Sequence, residues 1–178
     1  MYTSSSNNKA IPKEYRQIAE ELISTSASVE QVHSFADILG IGSDYKRLFL
    51  IASRDEIHQR LECFRNNLDL LIQKTWVEKT DEVRKEKLQD QVPIFIAKIE
   101  NADYRQALAD FNTILNELAF LFFGVQSRKE DFTEYTLRID TQMGLFWWYG
   151  AQLATIKQTD AEYLRALILL GVCYLSNF

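Results

Sequence analysis

The run Met143-Gly-Leu-Phe-Trp-Trp-Tyr-Gly-Ala-Gln-Leu-Ala constrains the fold more than any other stretch of the chain. It carries no charge, and none follows until Lys157. Neighbours on a helix point about 100° apart, so the rings of Trp147, Trp148 and Tyr149 would cover most of a helix circumference. A helix that is apolar on every side must be walled in by protein or by a partner. Gly150 and Ala154 would let another helix come close. An apolar small molecule held between Phe146 and Leu153 is a further reading of the same run.

The class of fold follows from punctuation. The chain has 178 residues but only 6 Gly and 2 Pro. Sheet proteins need turn residues every 8–12 positions or so, and this supply is too thin for that. Four stretches of the Ser/Thr-x-x-Glu/Gln form are read as helix-capping boxes: Ser28 to Gln31, Ser53 to Glu56, Ser127 to Glu130 and Thr159 to Glu162. Together they predict an all-α chain, a single-domain bundle of six to eight helices with an aromatic-rich C-terminal core.

Within that bundle, residues 1–10 read as a polar tail and 11–178 as one helical domain. We divide the domain into an N-terminal layer over 11–76, an exposed charged helix or linker over 77–92, and a main bundle over 93–178. Pro93 marks the last boundary. The clearest periodicity is Ile57, Leu61, Phe64, Leu68 and Leu71, whose steps of four and three make a packing seam. Gly40 and Gly42 stop the helix that opens at Ser28. A short helix follows over 45–52, and the long helix from Asp103 ends near Gly124.

Charge narrows the function classes. The net charge is −5, and both halves are acidic: residues 1–92 hold 13 bases and 15 acids, and residues 93–178 hold 7 and 10. Neither half supplies the basic field that phosphate binding needs, so nucleic acid is a poor partner. The longest apolar runs, around 118–125, 145–151 and 166–175, fall short of the ~20 residues that span a bilayer. Cys63 and Cys173 sit among apolar neighbours and are expected as buried free thiols, which suits a cytoplasmic protein.

Chemistry is sparse. Glu30-x-x-His33 and Asp55-x-x-His58, with Glu62 one turn on, have the spacing of carboxylate–histidine metal ligands. Glu30, His33 and Asp37 lie opposite the apolar face of Val29, Val32, Ala36 and Leu39, however, so a solvated polar face is expected there. No Gly-x-Ser-x-Gly turn and no glycine-rich phosphate loop occur. No catalytic, cofactor or metal residues are assigned.

Two stretches resemble known motifs. Phe35 to Phe49, with Ala36, Leu39, Gly40 and Ile41, is similar to a helix-turn-helix core, which implies DNA contacts from Lys46, Arg47 and Arg54. Asp103 to Leu115 resembles the second helix of a tetratricopeptide unit, and Leu170-Gly-x-x-Tyr174 echoes a first helix. Their order and separation do not make adjoining repeats of about 34 residues. What that resemblance implies is helix-hairpin scaffolding of a partner.

The expected function is therefore protein–protein interaction or assembly of an adaptor kind, without catalysis, with self-association into a homodimer as one form of it. Phe122, Phe123, Trp147, Trp148 and Tyr149 are the expected anchors.

Overall fold

A computed structural model describes residues 20–75, 82–127 and 155–176, with Gln17 and Leu153; side chains are described for these except 71–75, Arg84, Asn116 and 118–127. It is all-helical, as expected. The described helices with defined ends are α1 (Val29–Ile38), α2 (Gly42–Leu50), α3 (Arg54–Thr75), α4 (Glu82–Glu100), α5 (Tyr104–Ser127) and α6 (Ala161–Ser176). None is long and apolar enough to cross a membrane.

The helix ends follow from local chemistry. The Ser28 amide donates to Gln31 Oε1 at 2.6 Å, so the first capping box forms. α1 stops because Gly40 takes φ +80, a left-handed conformation that costs glycine little. That turn lets the Ile41 amide reach the Ala36 carbonyl and the Gly40 amide reach Asp37, which ties off the last turn. α2 starts three residues before the expected Tyr45, because Gly42 leaves room for the Asp37 carboxylate against its Cα. Ser53 Oγ accepts from the Glu56 amide at 3.2 Å and opens α3. At α6 the cap is one residue later than the sequence suggests: Asp160 Oδ2, not Thr159, accepts from the Tyr163 amide at 3.2 Å.

Three further expectations are corrected. Pro93 lies inside α4 rather than at a boundary. The ring removes one amide, and so one bond to the Gln89 carbonyl, but the burial of Val92, Phe95 and Ile96 on either side carries the helix through. Leu88 and Val92, inside the stretch read as exposed, are also buried. α5 passes Gly124 and ends at Ser127, so the capping box read at Ser127 begins inside a helix, and its remaining residues lie outside the described ones.

The seam on α3 holds: Leu61, Phe64 and Leu68 are buried, with Ile57 packed at the edge of the core. Phe64 meets Phe95 of α4 and Phe111 of α5 with centroids 5.7 and 5.9 Å away, and Phe95 stacks on Phe111 at 4.8 Å. Such ring pairs add about 0.5–1.5 kcal/mol beyond the area they bury. The aromatic core therefore draws one ring from the N-terminal layer.

Among the described residues, α6 is the helix walled in on all sides: Tyr163, Leu164 and every residue from Ala166 to Cys173 are buried. It packs against α1, α2, α3 and α5. Its ends are tied by polar groups of other elements. Tyr163 Oη donates to the Leu22 carbonyl. Asn67 Nδ2 donates to the carbonyls of Leu175 (3.1 Å) and Ser176 (2.7 Å), which no further turn of helix satisfies. Arg60, from α3, forks onto Asp44 of α2 at 2.6 and 2.7 Å and also reaches Ser176 Oγ at 3.4 Å.

Candidate functional site: a cationic cleft with an aliphatic ledge

Four helices meet around a cleft of about 240 Å³. The first turns of α3 bring Arg54, Ile57 and His58 to it. The last turn of α4 brings Ile99 and Glu100, α5 begins there with Tyr104, and the second turn of α6 adds Arg165, Ile168 and Leu169. The convergence depends on the α4–α5 corner. There Ala102 adopts φ 59, the Asp103 amide reaches the Lys98 carbonyl at 2.8 Å, and the chain reverses in three residues. This is the same closure as at Gly40, made with alanine in the place where glycine is favoured.

The cleft has four aliphatic side chains and an unbalanced positive charge. Glu100 is its one lining carboxylate, and it is already engaged: His58 Nδ1 lies 2.7 Å from its Oε2. That hydrogen bond, and then the attraction of the Glu100 charge, hold the His58 pKa above 6.5, with Glu62 and Asp55 adding to the effect. Arg54 has no ion-pair partner among the described residues. Arg165 has no carboxylate partner among them either: its guanidinium lies 4.8 Å over the Phe49 ring and its Nη1 donates to the Phe49 carbonyl at 3.1 Å. Two guanidinium groups without carboxylates thus line one small cleft in a chain of net charge −5.

The Phe49 carbonyl bonded by Arg165 is also the start of a ledge. Leu50 is 64% exposed and Ile51 74%, the two most exposed large aliphatics among the described residues. Single exposed aliphatics are ordinary on any protein. Two in a row are less so when the backbone beneath is fixed, here by Arg165 on one side and by the Ala52 amide bonding the Arg47 carbonyl at 2.9 Å on the other.

Behind Arg165 lies an aromatic backing. His33 meets Tyr45 and Phe49 with centroids at 5.4 and 5.7 Å, and Tyr45 stacks on Phe49 at 5.9 Å. This corrects the expectation of a solvated His33: the ring turns under α2, and its Nδ1 is buried. Burial, above all, drives the Tyr45 hydroxyl well above its ordinary pKa of 10, so it stays neutral in the working range.

The residues singled out in the sequence are placed unevenly. Lys46 is paired with Asp37 at 3.0 Å and Arg47 with Glu56 at 3.0 Å, while Arg54 faces the cleft. Asp44, on the would-be recognition helix, is taken by Arg60. Phe122 and Phe123 lie on α5, where only the backbone is described; Trp147, Trp148 and Tyr149 lie outside the described residues. No three His, Cys, Asp or Glu side chains among the described residues converge on a metal position. Cys63 is exposed rather than buried, because it sits one step outside the seam residue Phe64; Cys173 is buried, and burial pushes its thiol up to about 12.

Arg165 is the cleft residue that stands out in the sequence without being assigned a role there. It is the one charged residue after Glu162, alone in a run of apolar side chains. A lone arginine in a helix bound for the core needs something to do there, and that signal was readable. Comparison with protein-family models, with curated proteins and with solved structures finds no match.

Proposed function

We propose that this protein works by recognition rather than catalysis, and that the cleft and ledge together bind a segment of another protein. The segment presents a carboxylate side chain beside aliphatic ones. The carboxylate enters between Arg54 and Arg165, and the aliphatic residues rest on Leu50 and Ile51. The observation that carries this is the pair of arginines lacking carboxylates. A guanidinium in a confined site is satisfied best by the two oxygens of a carboxylate, which charge-assisted hydrogen bonds hold strongly.

The volume supports a side chain rather than a large ligand, since pockets for drug-sized molecules run from about 300 to 1,000 Å³. The ledge extends the surface beyond the cleft, as a polypeptide requires and a small anion does not. The groups lining the cleft bind and orient; the acid–base pair His58–Glu100 is spent on itself. A cytoplasmic setting belongs to this proposal and is supported by two free cysteines. DNA reading has weaker support, because Lys46 and Arg47 are each neutralised within the fold.

A fluorescence anisotropy titration tests the proposal. The probe is a labelled helical peptide with Leu and Glu on one face, compared with its Leu/Lys counterpart. The Glu peptide is expected to bind, more weakly as salt rises, and the Lys peptide not to bind. Equal binding of both peptides, or of neither, contradicts the reading.

A further inference from the structure

The outward face of α4 carries the chemistry that the cleft and ledge lack. Val83, Glu86, Asp90, Ile94 and Ala97 recur at steps of three and four, so they line one strip of the helix. All five are exposed, whereas Leu88, Val92, Phe95, Ile96 and Ile99 on the opposite face are buried. Neither Glu86 nor Asp90 has an ion-pair partner among the described residues. Val83 (62% exposed) and Ile94 (48%) flank them, roughly 16 Å apart at ~1.5 Å per residue. Lys87 borders the strip, which keeps a net negative charge.

Exposed aliphatics concentrate on these two surfaces. Five large aliphatics are strongly exposed among the described residues: Leu50, Ile51, Leu70, Val83 and Ile94. Two belong to the ledge and two to the strip. One surface is positive and aliphatic, the other negative and aliphatic, and both are built on helices that the core holds in place.

We propose that the segment bound by the cleft is this strip on a second copy of the chain, an inference that rests on the recognition reading above. Glu86 and Asp90 face Arg54 and Arg165, and one flanking aliphatic, Val83 or Ile94, rests on Leu50 and Ile51. Both surfaces cannot be satisfied within one chain. The strip is the outward side of α4, while the cleft uses Ile99 from the inward side of the same helix. The contact joins unlike surfaces, so a single cleft–strip contact leaves one cleft and one strip unused, which either close reciprocally within a pair or take further copies. Stable dimers of independent proteins bury roughly 1,200–2,000 Å². One helix face on one small cleft falls below that, so the association is weak and grows with concentration.

Sedimentation equilibrium on the full chain tests this with two variants. Arg54→Glu spoils the cleft at an exposed position whose side chain has no described partner, and Glu86→Lys with Asp90→Lys spoils the strip. Circular dichroism melts establish that both are folded. Wild type is expected to gain average mass with concentration and to lose that gain in high salt. Each variant alone stays a monomer. A mixture of the two restores association through the one intact cleft and the one intact strip, and stops at two copies. A wild type that stays monomeric throughout, a variant that associates as wild type does, or a mixture that stays monomeric overturns the proposal. A monomeric wild type that still binds the Glu peptide would sink only the second-copy partner. Failure of both experiments would remove the recognition reading as well.

Discussion

His58 Nδ1 and Glu100 Oε2 lie 2.7 Å apart, which joins the first turn of α3 to the last residue of α4 across 42 positions of sequence. The pair occupies one oxygen of the cleft's own carboxylate. It also makes the rim sensitive to pH. The His58 pKa is raised above 6.5 by its partner. A histidine whose pKa is higher in the folded state adds stability that is complete below the unfolded value, and that stability is lost as pH rises through the folded value. An NMR titration should therefore place the His58 midpoint above 6.5 and bring it down in Glu100→Gln. The increment in melting temperature on going from above that midpoint to below 6.5 should shrink in His58→Gln. Both groups are exposed, so the increment is small.

Ala102 offers a stabilising substitution. It holds φ 59, where a Cβ crowds the following carbonyl at a cost of roughly 1–2 kcal/mol. Ala102→Gly should raise stability by about 1 kcal/mol after the greater freedom of glycine in the unfolded chain is counted. Gly40→Ala is the converse. No atom lies within 4 Å of a Cβ built there, so the loss of about 1 kcal/mol comes from φ +80 alone. Urea unfolding of both variants checks the pair; equal stability in the two would contradict the account of these corners.

The two thiols should differ sharply. Cys63 is exposed, whereas Cys173 is buried and its thiol is pushed up to about 12. The thiolate is the reactive form. Alkylation of the folded protein, read by mass spectrometry, should modify Cys63 and leave Cys173 untouched until denaturant is added.

Phe111 should be costly to truncate, because it belongs to a cluster in which each of three buried rings contacts the other two. It contacts both Phe64 and Phe95 and is fully buried. Phe111→Ala should lose about 3–5 kcal/mol, measured as a shift in the urea midpoint. A loss under about 1 kcal/mol would mean that the three-ring cluster is not packed as described.

Much of the fold was legible because helices announce themselves locally. The box at Ser28, the side-chain cap at Ser53, the stop at Gly40 and the seam from Ile57 to Leu68 depend on residues three or four apart, and all of them hold. What was not legible depends on tertiary partners. Pro93 reads as a break until Phe95 and Ile96 are seen to anchor the helix after it. Cys63 reads as a seam residue because its neighbours are apolar, but one step on a helix is about 100°. The cleft was the least legible part. Its lining comes from residues between 54 and 169, and the pairing of His58 with Glu100 leaves no mark in either neighbourhood. Arg165 alone carried a local signal, as a charge stranded in an apolar helix.

The most direct test of the recognition account follows the arginine side-chain signals themselves. In an NMR titration of the full chain with the Leu/Glu peptide, the Nε–Hε resonances of Arg54 and Arg165 should shift together and saturate together. Those of Arg47 and Arg60, already held by Glu56 and Asp44, should stay in place. Shifts confined to Arg47 or Arg60, or no shift at Arg165 while the peptide is bound, would contradict it.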